Sequence, residues 1–507
     1  MKFFWTYRSF VAAIVVILFL SSCYKEYEIT VHPNVNEDYY LLFNDQPVAY
    51  DSVKKMMLFS VPQPVIENFQ ISIYSEYFSI IEIDNKLVES ENLYQFDVIN
   101  TDDEFAVKIQ YNSGEQDMYY LQFTTLPIVQ IYTSEPIPNE PKISSRIVYS
   151  DPNSPKKFID TYAGIEQRGG TAFWNPKKSY GFECWQDAQG LFLQDISFYG
   201  LESDDDWILD AMYVDKARFR KALSFQLWDS IHHERISELG VDKVGVDGGF
   251  VEVFLNNEFL GLYNLTERID KKRLGIQDSE STLQGLIFKS IEKTGTTNFV
   301  SMAPRTGGSY WEGWELIYPE NWGDNAWTPF QDFIDFVVNS NDENFTDSIF
   351  TYLNMNNCID YFILLNLTKA YDNYDKNMFF VRNDSLSPFF IIPWDLDATW
   401  GRTWKGYVLS ADSILTNGLY ERIMELEANN YNYHLAQRWE DLREGVVTEP
   451  QIFSLLDCMR DELIYSGAYQ RELETWPESE LNIDEEIDYI KNWTSDRLVF
   501  LDNYFEN

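Results

Sequence analysis

The hydrophobic period changes along the chain, and that change sets the domain plan. From Tyr39 to about Leu126, short runs alternate apolar and polar residues, as in Phe69-Gln70-Ile71-Ser72-Ile73-Tyr74 and Tyr119-Tyr120-Leu121-Gln122-Phe123. A period of two sends every second side chain to one face, the pattern of half-buried strands. No helical stretch interrupts these runs, so residues 39–126 are expected to form a small β-sandwich. Pro127, Pro136, Pro138 and Pro141 then mark an expected linker over 127–142. Between 143 and 417, strand-like Lys178 to Trp185 and Val251 to Leu255 mix with helical patterns at Lys216 to Ile231 and Asp347 to Asn366, predicting an α+β domain. From 418 to 507 the pattern turns helical, at Leu419 to Asn429, Tyr433 to Leu442, Glu449 to Tyr465 and Asp484 to Tyr504. We expect this to be the helical end of the same domain.

The N-terminus carries an expected export signal. Lys2 and Arg8 precede an apolar run from Phe10 to Leu20, followed by Ser21 and Ser22. Eleven residues cover about half of a roughly 30 Å hydrocarbon core as a helix, so a removed signal over 1–22 fits better than a permanent span. Leu20-Ser21-Ser22-Cys23 matches the bacterial lipobox, which implies acylation of the Cys23 sulfur and a tether over 23–38. The expected location is a bacterial cell envelope, lipid-anchored to the outer membrane and facing the periplasm or the outside. The lipid would be the only membrane contact.

Charge narrows the partners. The formal net charge is −42, and loss of Lys2 and Arg8 with the signal leaves 37 basic against 81 acidic residues, or −44. Such a surface repels phosphate backbones, which argues against nucleic acid. Beyond Cys23 only Cys184, Cys358 and Cys458 remain, without a CxxC pair, so neither a disulfide scaffold nor a zinc module is expected. One bridge among the three stays open. Oligomeric state is not legible.

Chemistry concentrates between Asp372 and Asp397. Asp372-Asn373-Tyr374-Asp375-Lys376-Asn377 follows the apolar Tyr361 to Leu367 and precedes strand-like Met378 to Val381. A second strand-like run, Phe389 to Ile392, delivers Pro393-Trp394-Asp395-Leu396-Asp397. An Asp, an Asn five positions on and a further Asp 23 positions from the first reproduce the order of protein-kinase parts. Hard oxygen donors of this kind suit Mg²⁺ or Mn²⁺. The bland reading of Asp372 to Asn377 alone is a helix cap or Asx turn.

Other motifs occur in order around this cluster: Ile165-Glu166-Gln167-Arg168-Gly169-Gly170-Thr171 with Pro176 to Tyr180; Asp206-Trp207-Ile208-Leu209 with Asp215-Lys216 and Arg218-Phe219-Arg220-Lys221; Val251 to Asn257 with Leu260 to Tyr263 and Thr266-Glu267; and Trp394-Asp395-Leu396-Asp397. Together these resemble the CotH family of kinase-like proteins over about Ile143 to Gly401, with the helical tail. The resemblance implies an atypical protein-kinase-like fold that uses ATP and a divalent metal to phosphorylate Ser or Thr on exported proteins. It puts the catalytic Asp at Asp372, the metal Asp at Asp395 and an accessory ligand at Asn377. Asp397 would bind metal or orient its neighbours. The N-terminal module lies outside this match and resembles bacterial immunoglobulin-like modules.

A triphosphate entering so acidic a chain needs fixed cations. Lys178, on a short strand, sits like a kinase phosphate lysine; alternation turns Lys177 to the other face, so one of the two reaches the site. We assign Lys178, with Glu267 as its ion-pair partner. Arg168 beside Gly169 and Gly170 would add guanidinium and backbone donors. A GxGxxG loop is absent, and Asp375 is an alternative base. Trp311, Trp314, Trp322 and Trp327 either stack on sugars or peptides or close a core. His32, His232, His233 and His434 all fall outside the motifs, which disfavours His-dependent hydrolysis. Two further readings compete with phosphotransfer: a non-enzymatic surface lipoprotein that binds protein or glycan, and glycoside hydrolysis by paired carboxylates.

Overall fold

The computed structural model describes residues 41–88, 93–279, 282–320, 322–480 and 482–506. The expected signal over 1–22, Cys23 and the tether over 23–38 lie outside these residues. The chain folds as a mixed α+β protein with a helical C-terminal part.

The first strands are β1 (Leu42–Phe43), β2 (Gln46–Pro47), β3 (Ala49–Asp51), β4 (Met56–Ser60), β5 (Val65–Tyr74), β6 (Phe78–Ile83), β7 (Lys86–Val88), β8 (Leu93–Asn100), β9 (Phe105–Tyr111) and β10 (Gln116–Thr124). They form two sheets, ordered β2-β1-β5-β8 and β3-β4-β10-β9-β6-β7. The period-two pattern builds a shared core. Ile71 and Ile73 of one sheet meet Tyr119, Leu121 and Phe123 of the other, and the polar alternates face outward.

This sandwich is fixed to the barrel strands that succeed it in the chain. Ala49, Met56 and Leu58 bury against Ile128, Phe254 and Phe259. The fully buried Asp51 accepts the amides of Val53 (2.8 Å) and Lys54 (2.7 Å) with one oxygen and that of Phe259 (2.9 Å) with the other.

The next strands are β11 (Ile128–Tyr132), β12 (Ile143–Ser150), β13 (Phe158–Arg168), β14 (Ser179–Trp185), β15 (Asp206–Asp210), β16 (Gly248–Leu255) and β17 (Glu258–Glu267). They close a barrel in the order β11-β12-β13-β14-β15-β17-β16. Here the expected linker over 127–142 is corrected. Ile128 to Tyr132 pair antiparallel with β12 and parallel with β16, and without them the barrel would stay open. Five residues are too few for alternation to stand out beside four prolines. Val129, Ile147, Ile165, Phe182, Leu209 and Val253 fill the barrel interior.

The remaining part packs a five-stranded sheet against helices. Its strands are β18 (Leu286–Ser290), β19 (Tyr310–Trp311), β20 (Trp314–Tyr318), β21 (Met378–Arg382) and β22 (Phe390–Pro393), ordered β19-β20-β18-β21-β22. The helices are α1 (Arg220–His232), α2 (Lys271–Leu274), α3 (Asp324–Asn339), α4 (Asp342–Tyr352), α5 (Met355–Leu367), α6 (Gly418–Glu425), α7 (Tyr431–Glu444), α8 (Glu449–Tyr465), α9 (Ala468–Thr475) and α10 (Ile483–Phe505).

Two helix boundaries differ from expectation for local reasons. The run from 347 to 366 is split, because Leu353 is extended and the Asn354 side chain caps a new helix by accepting from Asn357 N. The run from 216 begins only at Arg220, because Asp215 takes the amides of Ala217 (2.9 Å) and Arg220 (2.7 Å), holding the approach as a turn. Trp311, Trp314 and Trp327 are buried in the main core, so the aromatic insertion closes that core. Cys184, Cys358 and Cys458 are all free thiols.

Candidate active site

The barrel and the five-stranded sheet meet across a cleft, and strand ends deliver its side chains. β13 ends at Arg168, and Gly169 (φ 98°) turns the chain where a Cβ would be strained. Along β15 Trp207 and Leu209 point into the barrel, leaving Ile208 and Asp210 to the cleft. The first turn of α1 adds Lys221, and β18 adds Lys289.

The opposite wall comes from the ends of the β21–β22 hairpin. Asn373 clips these ends together, its amide donating to the carbonyls of Asn377 (2.8 Å) and Trp394 (2.6 Å). Trp394 N also donates to Asn377 O at 3.0 Å. Asn377 (φ 55°) and Asp395 (φ 53°) both take the left-handed backbone region, which costs a non-glycine residue about 1 kcal/mol or more. Strain at two facing strand ends turns both side chains to the cavity.

That cavity, of about 440 Å³, is lined by Arg168, Lys221, Lys289, Asn377, Asp395 and Asp397 among others. A second, of about 350 Å³, shares Arg168, Lys289 and Trp394 with it and extends to Glu166, Arg268 and Phe379. The combined space suits a drug-sized ligand.

Three cations converge on one indole. Arg168 Cζ lies 5.8 Å, Lys221 Nζ 5.6 Å and Lys289 Nζ 5.4 Å from the centre of the Trp394 ring. Among the described residues, no hydrogen bond or ion pair engages the Arg168 guanidinium or the Lys289 ammonium. Burial first, and then repulsion from Arg168, lowers the Lys289 pKa to about 8. Lys221 differs, bridging Asp210 (2.7 Å) and Asp395 (3.3 Å). Burial works against its charge, but these carboxylates hold its pKa above the ordinary lysine value. Burial likewise opposes ionisation of Asp210, and Lys221 and Arg168 more than offset it, leaving that pKa below the usual range.

The carboxylates show the complementary imbalance. Burial, then repulsion from Asp395, raises the pKa of Asp397 well above its ordinary value. Two carboxylates under mutual repulsion, with the Asn377 side chain on the same cavity, form a donor set that fits a divalent cation. Mg²⁺ in particular takes one or two carboxylates and completes its shell with water and phosphate. Of two tighter carboxylate groups, Glu183 with Asp205 and Asp206 borders the second cavity through Asp206, whereas Asp195 with Asp204 and Asp205 lines neither; both are already countered, by Lys142 and Lys272.

Asp372, the expected catalytic Asp, is buried and lines neither cavity; it lies one ion pair away. Its carboxylate contacts Lys376 (3.3 Å), which lines the cavity, and Lys293 (3.3 Å). Asp375, the alternative base, is also paired with Lys293 (3.2 Å), and burial raises its pKa.

Two expected nucleotide contacts are corrected. Lys178 Nζ donates to the carbonyls of Phe173 and Asn175, both at 2.6 Å, and lies outside the cavity lining. Its backbone follows the turn after Gly170, so its ammonium folds back on that turn. Both lysines precede β14, so strand alternation does not act on them; Lys177 Nζ enters the interior to meet Glu472 (2.8 Å) and Leu262 O. Lys177 thus lines the cavity while its ammonium is engaged by Glu472, and Lys178 lines neither cavity. Glu267 is buried with Lys243 (2.7 Å) and Arg273 (3.1 Å) and does not pair with Lys178. Lys221, Lys289, Asp210 and Asn373 are the residues that sequence reasoning missed. Lys221 ends the Arg218-to-Lys221 motif, a signal that could have found it; Lys289 lies in an unremarkable strand.

A family model described as CotH kinase protein matches residues 165–501. The chain belongs to the CotH family. The matched span holds every cleft residue named above and the C-terminal helices up to Leu501 of α10, and it excludes the sandwich, β11 and β12. Among curated proteins, Inner spore coat protein H of Bacillus subtilis (strain 168) is 23% identical over 302 residues, covering 58% of this chain and 77% of that protein. CotH membership thus rests on the same region that builds the cleft.

Proposed function

We propose that this CotH protein transfers the γ-phosphoryl group of ATP, with Mg²⁺ or Mn²⁺, to a Ser or Thr hydroxyl of an exported protein. The observation that carries the reading is the pair of unpartnered cations, Arg168 and Lys289, facing two repelling carboxylates across one cleft in a chain of net charge −42. Phosphate needs the first group and a phosphate-bridging cation needs the second. Arg168 and Lys289 hold phosphate oxygens, and Lys221 keeps Asp395 aimed at the cavity. Asp395, Asp397 and Asn377 would hold the divalent cation, which when bound neutralises phosphate charge. Asp372 orients the acceptor hydroxyl and takes its proton, steadied by Lys376 and Lys293. A barrel part facing a largely helical part across the cleft supports a kinase-like division. The sandwich, which we read as immunoglobulin-like, acts as a buttress for the β16–β17 hairpin. The lipid on Cys23 would hold the enzyme at the outer membrane.

The test is incubation of the chain from Cys23 onward with labelled ATP, Mg²⁺ or Mn²⁺ and Ser-rich protein acceptors. Transfer that depends on Asp395 is expected. No transfer to any acceptor refutes phosphotransfer and leaves the binding-protein reading; transfer unchanged in Asp395→Ala refutes this cleft as the site of the reaction. The anchor is checked by the mass of the mature N-terminus, where an unacylated Cys23 would exclude it.

A further inference from the structure

Between Asp397 and α6 the chain runs as a long loop laced to the acidic segment. Tyr371 N donates to Ala398 O (3.1 Å), Trp400 N to Thr368 O (2.7 Å) and Asn417 Nδ2 to Tyr374 O (2.6 Å). Where α5 ends, Lys369 takes a left-handed backbone (φ 49°) and sends its side chain beneath this loop. Its Nζ lies 2.7 Å from the Ser413 hydroxyl oxygen and also meets Ser410 O. From α10, Arg497 donates to the carbonyls of Ala411 (2.6 Å) and Ser413 (2.7 Å) and to Asn366 O (2.7 Å).

These two cations are buried, Lys369 at 4% and Arg497 at 0% exposure, and neither forms a salt bridge among the described residues. Burial, with mutual repulsion acting on Lys369, lowers its pKa to about 8 and that of Arg497 to about 9. The carboxylate that offsets this is Asp412, which is exposed and hydrogen-bonded to Ser410 Oγ. Ser413 itself is exposed. An accessible hydroxyl thus rests on one buried, carboxylate-poor cation, and a second holds the backbone carbonyl of the same residue.

We propose that Ser413 is a phosphorylation site, modified by the chain's own phosphotransfer, and this rests on the function proposed above. Ser413 Oγ attacks the γ-phosphorus of a nucleoside triphosphate as the bond to the β,γ-bridging oxygen breaks. The nucleoside diphosphate leaves with that electron pair, and the hydroxyl proton passes to Asp372 of the acting copy. The new dianion lies against Lys369 and near Arg497, where charge-assisted hydrogen bonds form. Ser410 is disfavoured because its hydroxyl faces Asp412, whose carboxylate would repel a phosphate. Through the Ala398, Trp400 and Asn417 contacts, the modified loop steadies the segment that carries Asp372.

Two arms test this on the full chain. In the first, the protein is incubated with ATP and Mn²⁺ and its peptides are mapped by mass spectrometry. Phosphate at Ser413 is expected in the wild type and absent from Ser413→Ala and Asp395→Ala. Transfer to an added acceptor without phosphate at Ser413 overturns this proposal and leaves the phosphotransferase reading standing; no transfer to any acceptor overturns both. In the second arm, phosphoserine is installed at 413 by genetic encoding, which requires no activity. Amide exchange across 398–417 is expected to slow roughly ten-fold, and Lys369→Met to cancel the effect. Unchanged or faster exchange, or an equal effect in Lys369→Met, overturns the assigned partners.

Discussion

If Lys289 meets phosphate, nucleotide affinity must depend on pH in a particular window. Its ammonium is half-buried between Trp394, Phe379 and Arg168, and its pKa falls to about 8 from an ordinary 10.5. That depression corresponds to about 3 kcal/mol against carrying the charge. A triphosphate supplies the missing counter-charge, so binding favours the protonated form. Well below pH 8 the proton is already present and affinity is flat. Above it, binding must take up a proton. The protonated fraction drops from about three-quarters at pH 7.5 to about a tenth at pH 9, so Kd for ATP should weaken roughly eight-fold. The phosphate's own second pKa, about 6, lies below this window. Titration calorimetry in buffers of different ionisation enthalpy reads both the Kd and the proton uptake. Lys289→Met should bind more weakly at pH 7.5 and lose the pH slope. A wild-type Kd that is flat from pH 7.5 to 9, or a slope that survives in Lys289→Met, refutes the assignment. Folding stability moves the other way. Between about pH 8 and 10.5 the unfolded chain binds more protons at this lysine, so its contribution to stability rises with pH there.

Three further outcomes are expected from the geometry. Asp395→Ala should lower phosphotransfer by about 100-fold or more while leaving the Tm nearly unchanged, because this side chain is 44% exposed and supports no core; a large Tm loss would mark it as structural. Arg168→Met should weaken ATP binding by roughly ten-fold, whereas Lys178→Met, on a lysine that only clips its own turn, should leave Kd within about two-fold; the reverse ranking in a binding titration would restore Lys178 to the site. Glu472→Gln should destabilise the fold by about 3 kcal/mol in urea unfolding, since it strands the fully buried Lys177 and Arg218; a loss under about 1 kcal/mol would mean that water or other groups compensate them.

What could be read in the residues came from short-range regularity. Alternation marked the sandwich strands, helical periodicity placed the C-terminal helices, and ordered motifs gave the CotH family. The hairpin bearing Asn377 and Asp395 was legible because two apolar strand runs flank a short turn. The β11 strand was not, since its pairing with β16 joins residues more than a hundred positions apart and its five residues carry no pattern of their own.

The cations divide in the same way. Sequence expected strand alternation to separate Lys177 from Lys178, but β14 begins only at Ser179; what it rightly raised was the demand for fixed cations in an acidic chain. Which cations answer that demand was decided by tertiary packing. The turn after Gly170 folds Lys178 back, Glu472 from a distant helix captures Lys177, and the barrel and sheet bring Arg168, Lys221 and Lys289 onto Trp394 from three separate elements. Backbone periodicity is encoded within a few residues, whereas a charge left without a partner is a property of everything packed around it.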